Sequence, residues 1–184
     1  MSSRQREWPR QWLMTDERLG DRRWEAIERL PAGSGIVFRH YAMERGERAS
    51  LAADVAQLCR TRGLTLAVAH DEELASSLEA DLVHNPAQGA TDRPFSRSVH
   101  SLDEAKAAQS KGAALVFVSP VFETRSHPGR TPLGINLAKQ IAEAAAAPAI
   151  ALGGMNAWNF ALLEREGFYG WAGIDAWLGD AVRT

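Results

Sequence analysis

His100 lies in the segment Ser98-Val99-His100-Ser101, an imidazole between two hydroxyls. Such a trio can move a proton on a bound ligand and orient the group that receives it. A second pattern is Gly153-Gly154, followed by Asn156. Paired glycines ahead of a helix start let backbone N–H groups approach a phosphate. Arg39, His84, Ser119, Thr124 and Asp71 add polar and charged side chains just beyond short apolar runs. The single cysteine, Cys59, sits in a helical pattern and reads as a small buried hydrophobe rather than a nucleophile. One cysteine makes no internal disulfide and suits a reducing compartment.

The elements that must position these residues follow from hydrophobic periodicity. Short runs rich in Val, Ile, Leu and Phe alternate with helical patterns, the βα signature. Strands are expected over 12–15, 35–38, 64–69, 81–83, 97–99, 114–118, 149–152 and 170–174. Helices are expected over 21–30, 47–62, 71–79, 136–146 and from Asn156 to about 166, with one more opening at Ser101. Ser101 and Glu104 have the spacing of a capping box. The stretch Asn85-Pro86-Ala87-Gln88-Gly89 resists helix, so the fourth helix is expected to be missing or reduced to a turn. Only a stub follows the last strand. The polar loop 119–134 is long enough to be functional. Trp24 and Trp158 are expected to pack from helices onto the body, and Trp171 with Trp177 to cover a face left bare by the short last helix.

Eight strands in this alternation predict a compact (β/α)8 TIM barrel with the fourth and eighth helices reduced. It would occupy residues 12–184 as one domain behind an N-terminal arm, 1–11. A doubly wound sheet would need a glycine-rich loop after the first strand, and Thr15-Asp16-Glu17-Arg18 is not one. At 184 residues the barrel is short for its class, where roughly 250 is typical. Barrel chemistry sits at the C-terminal strand ends. Asp16, Arg39-His40, His70-Asp71, His84, Ser98 with His100, Ser119 with Thr124, Gly153-Gly154 and Asp175 all fall there, and all five histidines lie on that rim or in its loops.

Composition narrows the partners. With 45% hydrophobic and 24% charged residues and a formal charge of -2, nothing argues for nucleic acid or an anionic membrane. The basic start is not followed by an apolar h-region, and no run approaches the roughly 18 to 20 apolar residues of a membrane span. A cytoplasmic protein is expected, and a homodimer if the barrel ends expose apolar surface.

Ser98-Val99-His100-Ser101-Leu102-Asp103-Glu104-Ala105 resembles the S-x-H-S-x-x-E-A stretch of the thiamine-phosphate synthase and thiazole tautomerase superfamily. The resemblance runs on through Lys111-Gly112-Ala113, Ser119-Pro120-Val121-Phe122-Glu123-Thr124, Pro132-Leu133-Gly134 and Ala151-Leu152-Gly153-Gly154-Met155-Asn156. It implies a barrel handling the thiazole phosphate half of thiamine. The synthase joins that half to an aminopyrimidine pyrophosphate, using Mg2+ and releasing pyrophosphate; the tautomerase shifts a proton on the thiazole ring without metal. His100 would be the catalytic group in either case. Arg39, His84, Ser98, Ser119, Thr124, Gly153 and Gly154 would hold substrate, and Asp71 would be a metal ligand.

The departures from the family pattern are specific. Arg39 is followed by His40-Tyr41 where the synthases have Arg-x-Lys, and His70-Asp71 stands for Asn-Asp. The second metal carboxylate has no clear counterpart in Asn85-Pro86-Ala87-Gln88, and Thr124-Arg125-Ser126-His127 lacks the family's lysine. Asp175 replaces a serine beside the thiazole phosphate, where a carboxylate repels unless it points away or bridges a cation. Three readings result: a synthase-like transferase, a metal-free tautomerase-like isomerase using His100 as general acid and base, and a non-catalytic ligand-binding barrel. A zinc hydrolase built on the histidines lacks the required His-x-His on the first strand.

Overall fold

The computed structural model describes residues 7–87, 91–125 and 129–179. Eight strands follow one another around a closed, wholly parallel barrel: β1 (Gln11–Met14), β2 (Gly35–Phe38), β3 (Thr65–Ala69), β4 (Leu82–His84), β5 (Phe95–Val99), β6 (Leu115–Val118), β7 (Ala149–Leu152) and β8 (Gly170–Gly173). The last strand returns to the first, with Trp12 opposite Ala172. Outside them lie α1 (Arg22–Glu28), α2 (Arg45–Arg62), α3 (Glu72–Ser77), α4 (Leu102–Ser110), α5 (Gly134–Ala145) and α6 (Ala157–Phe160). The described residues between β4 and β5 form no helix, and a single 3-10 turn, Asp175–Trp177, follows β8. Both reductions agree with the sequence expectation.

The strands are buried on both faces, as a sheet covered by helices requires. Inside the barrel, Trp12 from β1 meets Phe117 from β6 edge-on at 5.6 Å, and Phe117 meets the His84 ring from β4 at 5.2 Å. Three strands that are not neighbours thus touch through one aromatic stack, with His84 at its upper end. Trp12 lies opposite Gly35 in the β1–β2 register, and a Cβ on Gly35 would come within 2.3 Å of its ring. Each large side chain so enclosed contributes roughly 1.5–3 kcal/mol, which is how a barrel with trimmed helices keeps a core.

The missing eighth helix is replaced by indole. Trp177 stacks on Trp171 at 4.8 Å with planes 7° apart, and its Nε1–H donates to the Trp12 carbonyl. On the other side of the β1–β8 seam, Tyr169 donates to the Trp8 carbonyl and the Trp171 N–H to Arg10.

Two local expectations fail. The helix expected from Asn156 to about 166 is one turn, Ala157–Phe160, followed by a separate 3-10 turn at Glu164–Glu166. Asn156 and Asn159 cap each other reciprocally, but the helix already ends at Ala161, and Gly167 closes the separate turn. Trp158 is therefore 81% exposed instead of packed on the barrel. At α4, Ser101 accepts the Glu104 N–H, yet Glu104 returns its carboxylate to the N–H of His100 rather than of Ser101.

Candidate functional site

The strand ends enclose two joined cavities. The central one, about 200 Å³, is lined among others by Arg39, Tyr41, His84, Asn85, Ser98, His100, Ser119 and Arg130. The outer one, about 360 Å³, lies against Arg18, Arg125, Trp158, Asp175 and the Gly153-Gly154 corner. Thr124, Leu152, Gly153 and Ile174 line both, so a ligand with two parts can occupy them together.

His100 follows β5. Its Nδ1 lies 2.6 Å from the Ser119 carbonyl oxygen, an atom that only accepts, so Nδ1 carries the proton. Nε2 is left as the ring's acceptor. Three contacts fix the imidazole: Ser119 through its carbonyl, Glu104 on the His100 backbone N–H, and the β5–β6 ladder, where the Ser119 N–H donates to Val99.

His84 and Ser98 form a second unit at the cavity floor. Asn85 Nδ2, a donor, lies 3.2 Å from His84 Nε2, so Nε2 is unprotonated and Nδ1–H donates to Ser96 Oγ at 2.9 Å. Burial holds the ring neutral, pushing its pKa down to about 3, with the nearby cation of Arg39 adding to the effect. A base so weak does not deprotonate a ligand near neutral pH; it orients Ser98, whose Oγ is 3.2 Å from Nε2. Asn85 Oδ1 also accepts the Ser98 N–H at 2.8 Å. Asn85 itself, at φ 51°, uses the left-handed backbone that Asn tolerates. Its role carried no sequence signal beyond breaking a helix.

Arg39 donates from Nε to the Thr15 carbonyl and from Nη2 to Asp16, which turns its guanidinium along the rim of the central cavity. His40 points the other way. It is buried, stacks on Phe38 at 4.7 Å and reaches Thr15 Oγ1 at 3.1 Å, so it belongs to the core. His70 is exposed, and His127 lies outside the described residues. Of the four histidines among the described residues, His84 and His100 line the central cavity.

Gly153 and Gly154 have φ of 94° and 63°, and their identity is set by a close approach. A Cβ on Gly153 would meet Pro120 at 2.7 Å, and one on Gly154 the Glu123 carbonyl at 2.3 Å. The loop after β6 runs along them, Val121 and Phe122 donating to Leu152 and Gly153. This ties the loop bearing Thr124 to the end of β7. Because α6 is a single turn of four residues, little macrodipole stands behind the backbone N–H groups of this corner. Asp175 proves to bridge a cation: Arg18 Nη2 is 3.3 Å from its Oδ1.

The magnesium implied by the resemblance does not fit the donor set. Mg2+ needs oxygen ligands with open lone pairs in near-octahedral geometry. Asp71 Oδ1 accepts the Leu74 N–H that caps α3, and Oδ2 is 2.6 Å from Arg48 Nη1. It lines neither of the two joined cavities but a separate hollow with Arg45, Arg48 and Glu73. Among the described residues no three His, Cys, Asp or Glu side chains are grouped so as to hold a metal ion. Arg48 is committed as well, to the carbonyls of His40 and Ala69. Cys59 is buried, with its thiol pushed up to about 12 by burial; it is no nucleophile.

The sequence model of the thiamine monophosphate synthase family matches residues 13–177. The chain belongs to that family. Among thiamine monophosphate synthase relatives, a thiamine-phosphate synthase-type protein, numbered 2, of Aquifex aeolicus (strain VF5) is 32% identical over 94% of this chain and 99% of its own length. The thiamine-phosphate synthase of Synechococcus sp. (strain WH7803) is 31% identical over 84% of this chain, which spans about half of that relative (48%). The solved thiamine phosphate pyrophosphorylase from Pyrococcus furiosus superposes with a TM-score of 0.80, covering 94% of this chain and 89% of its own, at 24% identity, and so shares the fold. Among the described residues no helix is long and apolar enough to cross a membrane.

Proposed function

We propose that the two cavities hold the two halves of thiamine phosphate and that the chain joins them, as a thiamine-phosphate synthase. The observation that carries this is the shared wall of Thr124, Leu152, Gly153 and Ile174 between a compartment lined by Arg18 and Arg125 and one holding His100, Ser98 and Arg39. A thiazole phosphate in the outer cavity presents its ring nitrogen across that wall to an aminopyrimidine pyrophosphate in the central one. The nitrogen lone pair forms a bond to the pyrimidine methylene carbon while the carbon–oxygen bond breaks, and pyrophosphate leaves with the electron pair. Holding both halves in line removes much of the entropic barrier. Arg39 and Arg130 face the oxygens that gain charge, and Ser98 and His100 Nε2 orient the pyrimidine. No step is assigned to a metal on Asp71.

A second reading, a proton shift on the thiazole ring at His100 Nε2, is favoured by one observation: both Asp71 oxygens are engaged. One experiment separates the two. Purified protein is given aminopyrimidine pyrophosphate and thiazole phosphate, with and without Mg2+, and thiamine phosphate is measured. Product is expected, falling about 10²-fold in His100→Asn, the order of the cost of misplacing a reacting group. No product, with deuterium exchange on the thiazole that disappears in His100→Asn, would establish the isomerase instead.

A further inference from the structure

Thr15 holds Arg39, which lines the central cavity, at two points. The Arg39 backbone N–H donates to Thr15 Oγ1 at 3.0 Å, and its Nε to the Thr15 carbonyl at 2.9 Å. Thr15 directly follows β1 and is buried, so its hydroxyl needs a partner within the protein. Besides the Arg39 N–H, the partner of Oγ1 is His40 Nδ1 at 3.1 Å.

The direction of that bond follows from the protons available. Burial pushes the His40 pKa down, and the charges acting on the ring are matched, Glu17 and Asp16 against Arg23 and Arg39. The ring is therefore neutral, with one nitrogen an acceptor. With the proton on Nδ1, Thr15 Oγ1 would take two donors and leave its own O–H buried without an acceptor. Nδ1 thus accepts the Thr15 O–H, and Nε2 carries the ring proton, buried and without a partner among the described residues. A phenyl ring in the same place would stack on Phe38 as His40 does at 4.7 Å, and would leave no orphaned donor. What the imidazole supplies and a phenyl lacks is Nδ1.

We propose that His40 is a positioning residue for Arg39: from behind the cavity wall it fixes the Thr15 hydroxyl, and through it the arginine. Without Nδ1 the Thr15 O–H is a buried donor with no acceptor. Turning to another staggered rotamer relieves it and takes Oγ1 away from the Arg39 N–H. His40 itself touches no ligand. The identity of the anion that Arg39 meets rests on the reading under Proposed function; the hold on Arg39 rests on the geometry.

Two substitutions at one position separate positioning from packing. His40→Phe keeps the stack on Phe38 and loses Nδ1. His40→Asn loses the ring and keeps an acceptor, because Asn Oδ1 is bonded to Cγ as Nδ1 is. Packing alone ranks Phe above Asn, and positioning ranks Asn above Phe. The full chain, its folding followed by urea unfolding, is titrated calorimetrically with inorganic pyrophosphate, and kcat and both KM values are measured. In His40→Phe, pyrophosphate affinity and kcat are expected to fall about 10-fold, the factor of a weakened charge-assisted contact. The KM for thiazole phosphate should stay unmoved. His40→Leu, a second side chain without an acceptor, should do the same. His40→Asn is expected to keep most of both while unfolding at lower urea. Thr15→Val should match His40→Phe, and the double variant should lose no more than either alone.

Unchanged affinity and kcat in His40→Phe and His40→Leu, a greater loss in His40→Asn than in His40→Phe, or multiplied losses in the double variant would each overturn the proposal. A wild-type chain that binds no pyrophosphate at millimolar concentration would do so too. His40-dependent pyrophosphate binding without thiamine phosphate formation upholds it and removes the transferase reading. Thiamine phosphate formation with kcat and pyrophosphate affinity untouched in His40→Phe does the reverse.

Discussion

Asp71 caps α3 with one carboxylate oxygen and pairs with Arg48 through the other, so truncating it removes two supports at once. Asp71→Ala is expected to lower unfolding free energy by about 2 kcal/mol. Roughly 1 belongs to the cap and the rest to a guanidinium left 12% exposed with one fewer partner, discounted because Asp71 is itself 34% exposed. Urea unfolding measures it. Asp71→Asn in the same assay keeps a capping oxygen, and the Mg2+ concentration dependence of turnover should not move; a shift would return Asp71 to the role of metal ligand. His100, Ser98, Ser119, Arg39, His84 and Thr124 were singled out in the sequence and all line the central cavity, whereas Asn85, which lines it too, was not. Arg18 and Asp175 were not legible as a pair. Their meeting spans 157 positions, and no local motif encodes a contact that exists only once β8 has closed on β1.

Gly154 shows how elements share a site. The loop after β6 hydrogen-bonds along residues 152–153, so the end of β7 and the loop carrying Thr124 move together. Gly154→Ala meets the Glu123 carbonyl at 2.3 Å at a φ that L side chains rarely adopt. It is expected to push the loop outward, costing about 1–3 kcal/mol and raising KM for a thiazole ligand more than it lowers kcat. Steady-state kinetics beside thermal melting would show this; an unchanged KM would dissociate the loop from the site. All eight strands were visible in the sequence, most of them as short apolar runs beside turn residues; β5, Phe95–Val99, carries Ser96, Arg97 and Ser98 and was expected only over 97–99. The helix after β7 was overextended because Trp158, Leu162 and Leu163 mimic a helical stripe. In the structure Leu163 is buried, while Trp158 and Leu162 stay exposed.

The whole barrel carries a built-in acid sensitivity. His84 is held neutral inside it, its pKa about 3 against an ordinary value of 6.5, and burial depresses His40 as well. Above about pH 6.5 neither the folded nor the unfolded chain protonates these rings, and the stability is fully present. As pH falls from 6.5 toward 3 the unfolded chain takes up protons that the native His84 refuses. Stability is therefore lost with a slope approaching ~1.4 kcal/mol per pH unit for that ring. Urea midpoints between pH 7.5 and 4 should fall on this slope, and His84→Gln should flatten it; an equal slope in both proteins would remove His84 as the cause.

Six tryptophans serve this chain, and Trp158 alone stands mostly in water, at 81% exposure. The one-turn helix that failed to bury it leaves it on the wall of the outer cavity. Its emission is therefore the reddest of the six and the most open to iodide quenching. A molecule entering beside Arg18 changes that signal before any bond is made, so the arrival step can be timed by stopped-flow fluorescence without attaching a dye.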